Sequence, residues 1–98
     1  MSDLTDLHGC RVLIVESGTT RFGAQLQEVI EREGAESLVA RDLSTALECC
    51  SQFSFDAALI NVENRAIADR LGLPFLLYAI GRSTVEGIVG RLGRLLAA

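Results

Sequence analysis

Three short apolar runs constrain this chain more than any other feature. They are residues 11–16 (Arg-Val-Leu-Ile-Val-Glu), 55–62 (Phe-Asp-Ala-Ala-Leu-Ile-Asn-Val) and 75–80 (Phe-Leu-Leu-Tyr-Ala-Ile). Each is nearly continuous in hydrophobicity rather than alternating, the pattern of a strand buried on both faces of a parallel sheet. A fourth run, residues 37–40, is more polar at its start and suits a sheet edge. Parallel strands need crossover connections, so the segments between the runs must supply helices.

Those segments do read as helices. Phe22, Leu26, Val29 and Ile30 recur at helical spacing, with Thr19 or Thr20 available as the cap and Gly34 as the stop. Leu43, Ala46, Leu47 and Cys50 form a second apolar stripe, capped by Asp42 or Ser44. Residues 64–71 make a short helix that ends at Gly72, and Pro74 closes the turn into the next strand. Gly81 breaks that strand, and Ser83 or Thr84 starts a last helix with Val85, Ile88, Val89, Leu92, Leu95 and Leu96 on one side. Glu86 near its start, and Arg91 and Arg94 further on, suit the helix dipole. The prediction is one α/β domain over residues 1–98, with 1–9 as a lead-in. A three-layer parallel sheet of about four strands carries helices on both faces, joined by right-handed crossovers.

Composition narrows the function classes. Ninety-eight residues with 49% hydrophobic content and mean hydropathy +0.32 give enough material for one core and exclude a disordered chain. A net charge of −4 argues against non-specific binding to nucleic acid or to an anionic membrane. The polar, acidic start resembles no secretory signal and no apolar run is long enough to span a bilayer, so a cytoplasmic location is expected. Cys10, Cys49 and Cys50 have no metal-ligand or redox-motif spacing; Cys50 reads as core and Cys49 as surface. His8 has no Ser or Cys partner at a suggestive spacing. Residues 18–23 follow a strand and open a helix, where phosphate-binding loops sit, but they lack the P-loop Lys and the dinucleotide glycine spacing. Neither an enzyme nor a cofactor is expected.

The central run ends in Asn61, a polar amide at the carboxyl end of a buried strand, where open α/β sheets place their sites. Together with Val12-Leu13-Ile14-Val15-Glu16, Glu33-Gly34-Ala35 and residues 40–47, the run 53–61 resembles the receiver domain of two-component response regulators. Residues 74–80 resemble its fourth strand and residues 84–96 its last helix. The resemblance implies a flavodoxin-like or receiver-like fold, shortened by the loss of a fourth helix and a fifth strand. It also implies where the phosphorylation site is vestigial. Of the paired acids that hold Mg²⁺ in that family, Glu16 remains and Ser17 replaces the second. The phosphoryl-accepting Asp falls on Asn61, the hydroxyl residue ending the fourth strand falls on Ala79, and the family's Lys has no counterpart because all nine basic residues are Arg.

Phosphoryl transfer to a carboxylate needs a metal, an ionised acceptor and a cation. An amide cannot accept the group. The resemblance therefore implies a bacterial pseudo-receiver of the phosphorelay type that is not phosphorylated and holds no metal. It would act by protein binding, to a histidine kinase or to itself as a homodimer. Phe75, Leu77, Ile88, Leu92 and Leu95 are the contact candidates. The alternative is a small-molecule sensor, in which Arg65, Tyr78 and Arg82 clasp a cyclic dinucleotide such as cyclic di-GMP.

Overall fold

In a computed structural model, which describes residues 7–17 and 21–97, strands and helices alternate along the chain. The elements are β1 (Arg11–Val15), α1 (Phe22–Arg32), β2 (Glu36–Ala40), α2 (Leu43–Gln52) and β3 (Ala57–Asn61). A 3₁₀ turn (Val62–Asn64) then leads into α3 (Arg65–Leu71), β4 (Phe75–Tyr78) and α4 (Val85–Ala97). The strands form one all-parallel sheet in the order β2-β1-β3-β4, compatible with a shortened flavodoxin-like fold.

Alternate residues of each strand face opposite layers. Val12, Ile14, Ala57, Leu59 and Tyr78 pack with Leu26 and Ile30 of α1 and with Ile88, Val89 and Leu92 of α4. Leu13, Val15, Ala58 and Ile60 pack on the other side with Ala46 of α2 and Ala68 of α3. This is why the apolar runs show no alternation: β1 and β3 are central strands with both faces covered.

Several local expectations need correction. Of the residues expected as a lead-in, Leu7 is fully buried in the α1–α4 layer and its carbonyl accepts from the Cys10 N–H. β4 ends at Tyr78, two residues early, and Ile80 forms only an isolated bridge to Ser83. Ile88 and Leu92 are contact candidates no longer, because both are buried between α4 and the sheet. Leu95 is half-buried beside them. Cys49 and Cys50 are both half-buried. Burial, and secondarily the neighbouring Cys49, raises the Cys50 thiol above its ordinary pKa, the opposite of a reactive thiolate.

Helix starts and stops follow side-chain chemistry. The Asp42 carboxylate accepts the Thr45 N–H at 2.7 Å, and that bond lowers its pKa. Thr84 Oγ1 accepts the Gly87 N–H at 2.9 Å at the start of α4. Thr19 and Thr20, the expected caps of α1, lie outside the described residues, as does part of the 18–23 segment. Gly34, with φ +92°, turns the chain from α1 into β2, and its carbonyl accepts the Gly9 N–H.

A side chain at Gly34 meets two obstacles at once. The left-handed backbone strains any L-residue, and a Cβ there would lie 2.7 Å from His8 Nδ1. Gly72 has φ +68° but open space around it. Gly34→Ala is therefore expected to lower stability in urea by more than about 1 kcal/mol, and by more than Gly72→Ala does. Equal losses at the two positions would mean that the His8 contact contributes nothing.

Candidate functional site

The carboxyl ends of β1, β3 and β4 bring three polar residues into one row. Val15 pairs with Ile60 and Asn61 with Tyr78 in the parallel registers, so Glu16, Asn61 and Tyr78 end adjacent strands. Glu16, one residue past β1, continues the phase of Val12 and Ile14 and enters the α1–α4 layer. It is 1% exposed.

A buried carboxylate is costly unless its oxygens are hydrogen-bonded. Glu16 Oε2 accepts the Gly23 N–H at 3.2 Å, in the first turn of α1, where the helix dipole favours negative charge. Its Oε1 accepts the Tyr78 O–H at 2.5 Å, a bond between residues 62 apart in sequence. The Tyr78 ring is 2% exposed and stacks on Phe22 with centroids 5.5 Å apart. Burial, then the hydrogen bond to Glu16 and the charge of its carboxylate, hold the phenol protonated far above its usual range. Phenol, carboxylate and helix start are thus joined by hydrogen bonds.

The remaining expected site residues are tied into turns. Asn61 is 6% exposed and its Oδ1 accepts the Glu63 N–H at 2.9 Å, starting the 3₁₀ turn. Ser17 gives both its N–H and its hydroxyl to Asn64 Oδ1, at 3.1 and 3.2 Å, clipping the end of β1 to the turn after β3. Ala79 is half-buried just past β4, and its carbonyl accepts the Arg82 N–H. Glu16, Ser17, Asn61 and Ala79 therefore do gather at the same end of the sheet.

Their donor set does not fit a hard dication. Mg²⁺ wants several carboxylate or water oxygens in octahedral array. Here Glu16 supplies one carboxylate whose oxygens serve Tyr78 and Gly23, Ser17 is a neutral hydroxyl, and Asn61 Oδ1 caps a turn. Among the described residues, no group of three or more His, Cys, Asp or Glu side chains could hold a metal ion.

Arg65 and Arg82 are exposed, at the start of α3 and in the turn after β4. Tyr78, expected beside them as a stacking ring, points into the fold and is occupied by Phe22 and Glu16. Two grooves of about 300 Å³ lie at the other end of the sheet, and both are lined by Arg11 and Glu36. Arg11 is satisfied there: Nε donates to Glu36 at 2.8 Å and the guanidinium lies 5.2 Å from the centroid of the Phe53 ring.

Sequence reasoning missed the Tyr78–Glu16 bond and the Ser17–Asn64 clip. A signal for the first existed. Tyr78 is the sole tyrosine, set in a strand otherwise apolar, and a buried phenol needs a partner. Glu16 is the acid that ends a central strand. The chain matches no protein-family model and no curated protein.

Removing the phenol O–H leaves a buried carboxylate short of a donor, which costs more than the bond itself contributes. Tyr78→Phe is expected to reduce stability in urea by about 2 kcal/mol. The double variant Glu16→Leu/Tyr78→Phe should lose less than the sum of its two single changes, because no unpaired carboxylate remains. An unchanged urea midpoint for Tyr78→Phe would show that the bond does not support the fold.

Proposed function

We propose that this chain is a receiver-like domain that is not phosphorylated and works as a protein-interaction module in two-component signalling. Its partner is a histidine kinase or a second copy of itself. The observation that carries this reading is the identity and bonding of Asn61. An amide stands at the carboxyl end of the central strand, and its oxygen already accepts a backbone N–H.

Three further features support it. The strand order β2-β1-β3-β4 is the flavodoxin-like order up to its fourth strand. The last helix packs beside α1 on one face while α2 and α3 take the other. Glu16 is engaged by a phenol and a helix start in place of a cation. A phosphoryl group arriving here meets an amide at the acceptor position, Ser17 in place of the second of the paired acids, and no lysine.

The test is chemical. After incubation with acetyl phosphate and Mg²⁺, the intact mass is expected to remain that of the unmodified chain. Asn61→Asp alone should also stay unmodified, because Glu16 still serves Tyr78 and no lysine joins it. A mass increase of one phosphoryl group on the wild-type chain would overturn the reading.

A further inference from the structure

The two edges of the sheet are unlike. On β2, the Glu16 N–H bonds to the Ala40 carbonyl and the Glu36 N–H to the Cys10 carbonyl, so residues 37 and 39 direct their backbone groups outward. That edge is partly closed. Gln27 Nε2 donates to the Ser37 carbonyl at 3.1 Å, and charged Glu36 and Arg41 flank the strand. Such features blunt strand addition.

β4 is short and follows Pro74, but it carries no charged residue, and among the described residues no side-chain hydrogen bond reaches its outward groups. The Ala58 N–H bonds to the Pro74 carbonyl, so Leu76 and Tyr78 face β3 while Phe75 and Leu77 turn their N–H and C=O groups away from it. No further strand lies beyond β4 among the described residues. The side chains of Phe75 and Leu77 fall on the α2–α3 side, where Phe75 is 38% exposed and Leu77 half-buried. From Leu71 to Gly81 no residue carries a charge, the longest such run in the chain.

We propose that β4 is the docking edge for a second copy of this chain, paired antiparallel across a two-fold axis. This deepens the interaction-module reading and rests on it. The spacing is self-complementary. With Leu76 on the axis, Phe75 faces Leu77 of the second copy and Leu77 faces its Phe75, and the outward groups satisfy one another in two reciprocal pairs. Charge selects the same edge. Two chains of net charge −4 repel, and the uncharged strand is where they approach without opposing carboxylates on the paired segments. The two sheets then continue as one eight-stranded sheet. A four-residue strand buries less than the roughly 800 Å² per partner of a stable interface, so the dimer is concentration-dependent. Salt strengthens it, because screening weakens the mutual repulsion.

Light scattering across a concentration series, at low and high salt, tests this. The mass should rise from the 10.6 kDa monomer toward twice that value, at lower concentration when salt is high. Phe75→Lys, at an exposed position, should stay monomeric with an unchanged circular dichroism spectrum. Phe53→Lys, also at an exposed phenylalanine but outside β4, should dimerise like the wild type. Amide exchange gives a second readout that needs no variant: the Phe75 and Leu77 N–H groups should slow as concentration rises. A monomer at every concentration overturns the proposal, as does a dimer that Phe75→Lys leaves intact or one without protection at those two amides. Inertness to acetyl phosphate does not depend on any of these outcomes, so failure of the dimer and failure of the broader reading are separable.

Discussion

The hydrogen bond from the Tyr78 hydroxyl to the Glu16 carboxylate joins the edge strand to the central strand across the top of β3. Much of the molecule's carboxyl end depends on it. The phenol and the Gly23 N–H offset the cost of burying Glu16, and Gly23 brings the start of α1 with it. Tyr78 is tolerated inside only because its hydroxyl has a partner and its ring has Phe22. Neither residue is stable there without the other. Because, among the described residues, β4 pairs with β3 alone, this cross-sheet bond also anchors an edge strand.

The same bond decides what the end of the sheet can do. In open parallel sheets the crevice beyond the strand ends normally presents free polar groups to a ligand. Here the polar groups face one another: carboxylate to phenol, Asn61 to the Glu63 N–H, Ser17 to Asn64. The bonding that would be spent on a cation or a phosphoryl group is spent on holding turns and strands. At the edge of the sheet, Phe75 and Leu77 of β4 turn backbone groups outward with no strand beyond them among the described residues.

Much of the fold was legible because its signals are local. The apolar runs, the Asp42 and Thr84 caps and the stops at Gly34 and Gly72 each depend on a few neighbouring residues, and the structure uses them all. The ends of runs were less legible. Ala79 and Ile80 are as apolar as β4 itself, yet they belong to the turn that leads into α4, which hydrophobicity alone does not distinguish. Ile88 and Leu92 lie on the apolar side of the last helix, which read equally as a contact face, but α4 lies against α1 and the sheet and buries both. At the site, the identities of Glu16, Ser17, Asn61 and Ala79 were visible, whereas their bonding was not. The Tyr78–Glu16 and Ser17–Asn64 bonds join residues 62 and 47 apart, and a residue-by-residue reading does not reveal which distant group a side chain meets.

The most direct test of this account is a spectroscopic pH titration of the phenol, since Tyr78 is the only tyrosine and the chain has no tryptophan. The folded state raises the Tyr78 pKa, so the native fold retains a proton that the unfolded chain gives up above about pH 10. The stabilisation from this group is therefore complete below that pH and is lost as pH rises beyond it. Phenolate absorbance should stay absent through the ordinary tyrosine range and appear only together with loss of the helical circular dichroism signal. A phenolate transition centred near pH 10 with the fold intact would mean that the hydroxyl is free in solution, and the carboxyl end of the sheet would not be closed by Tyr78.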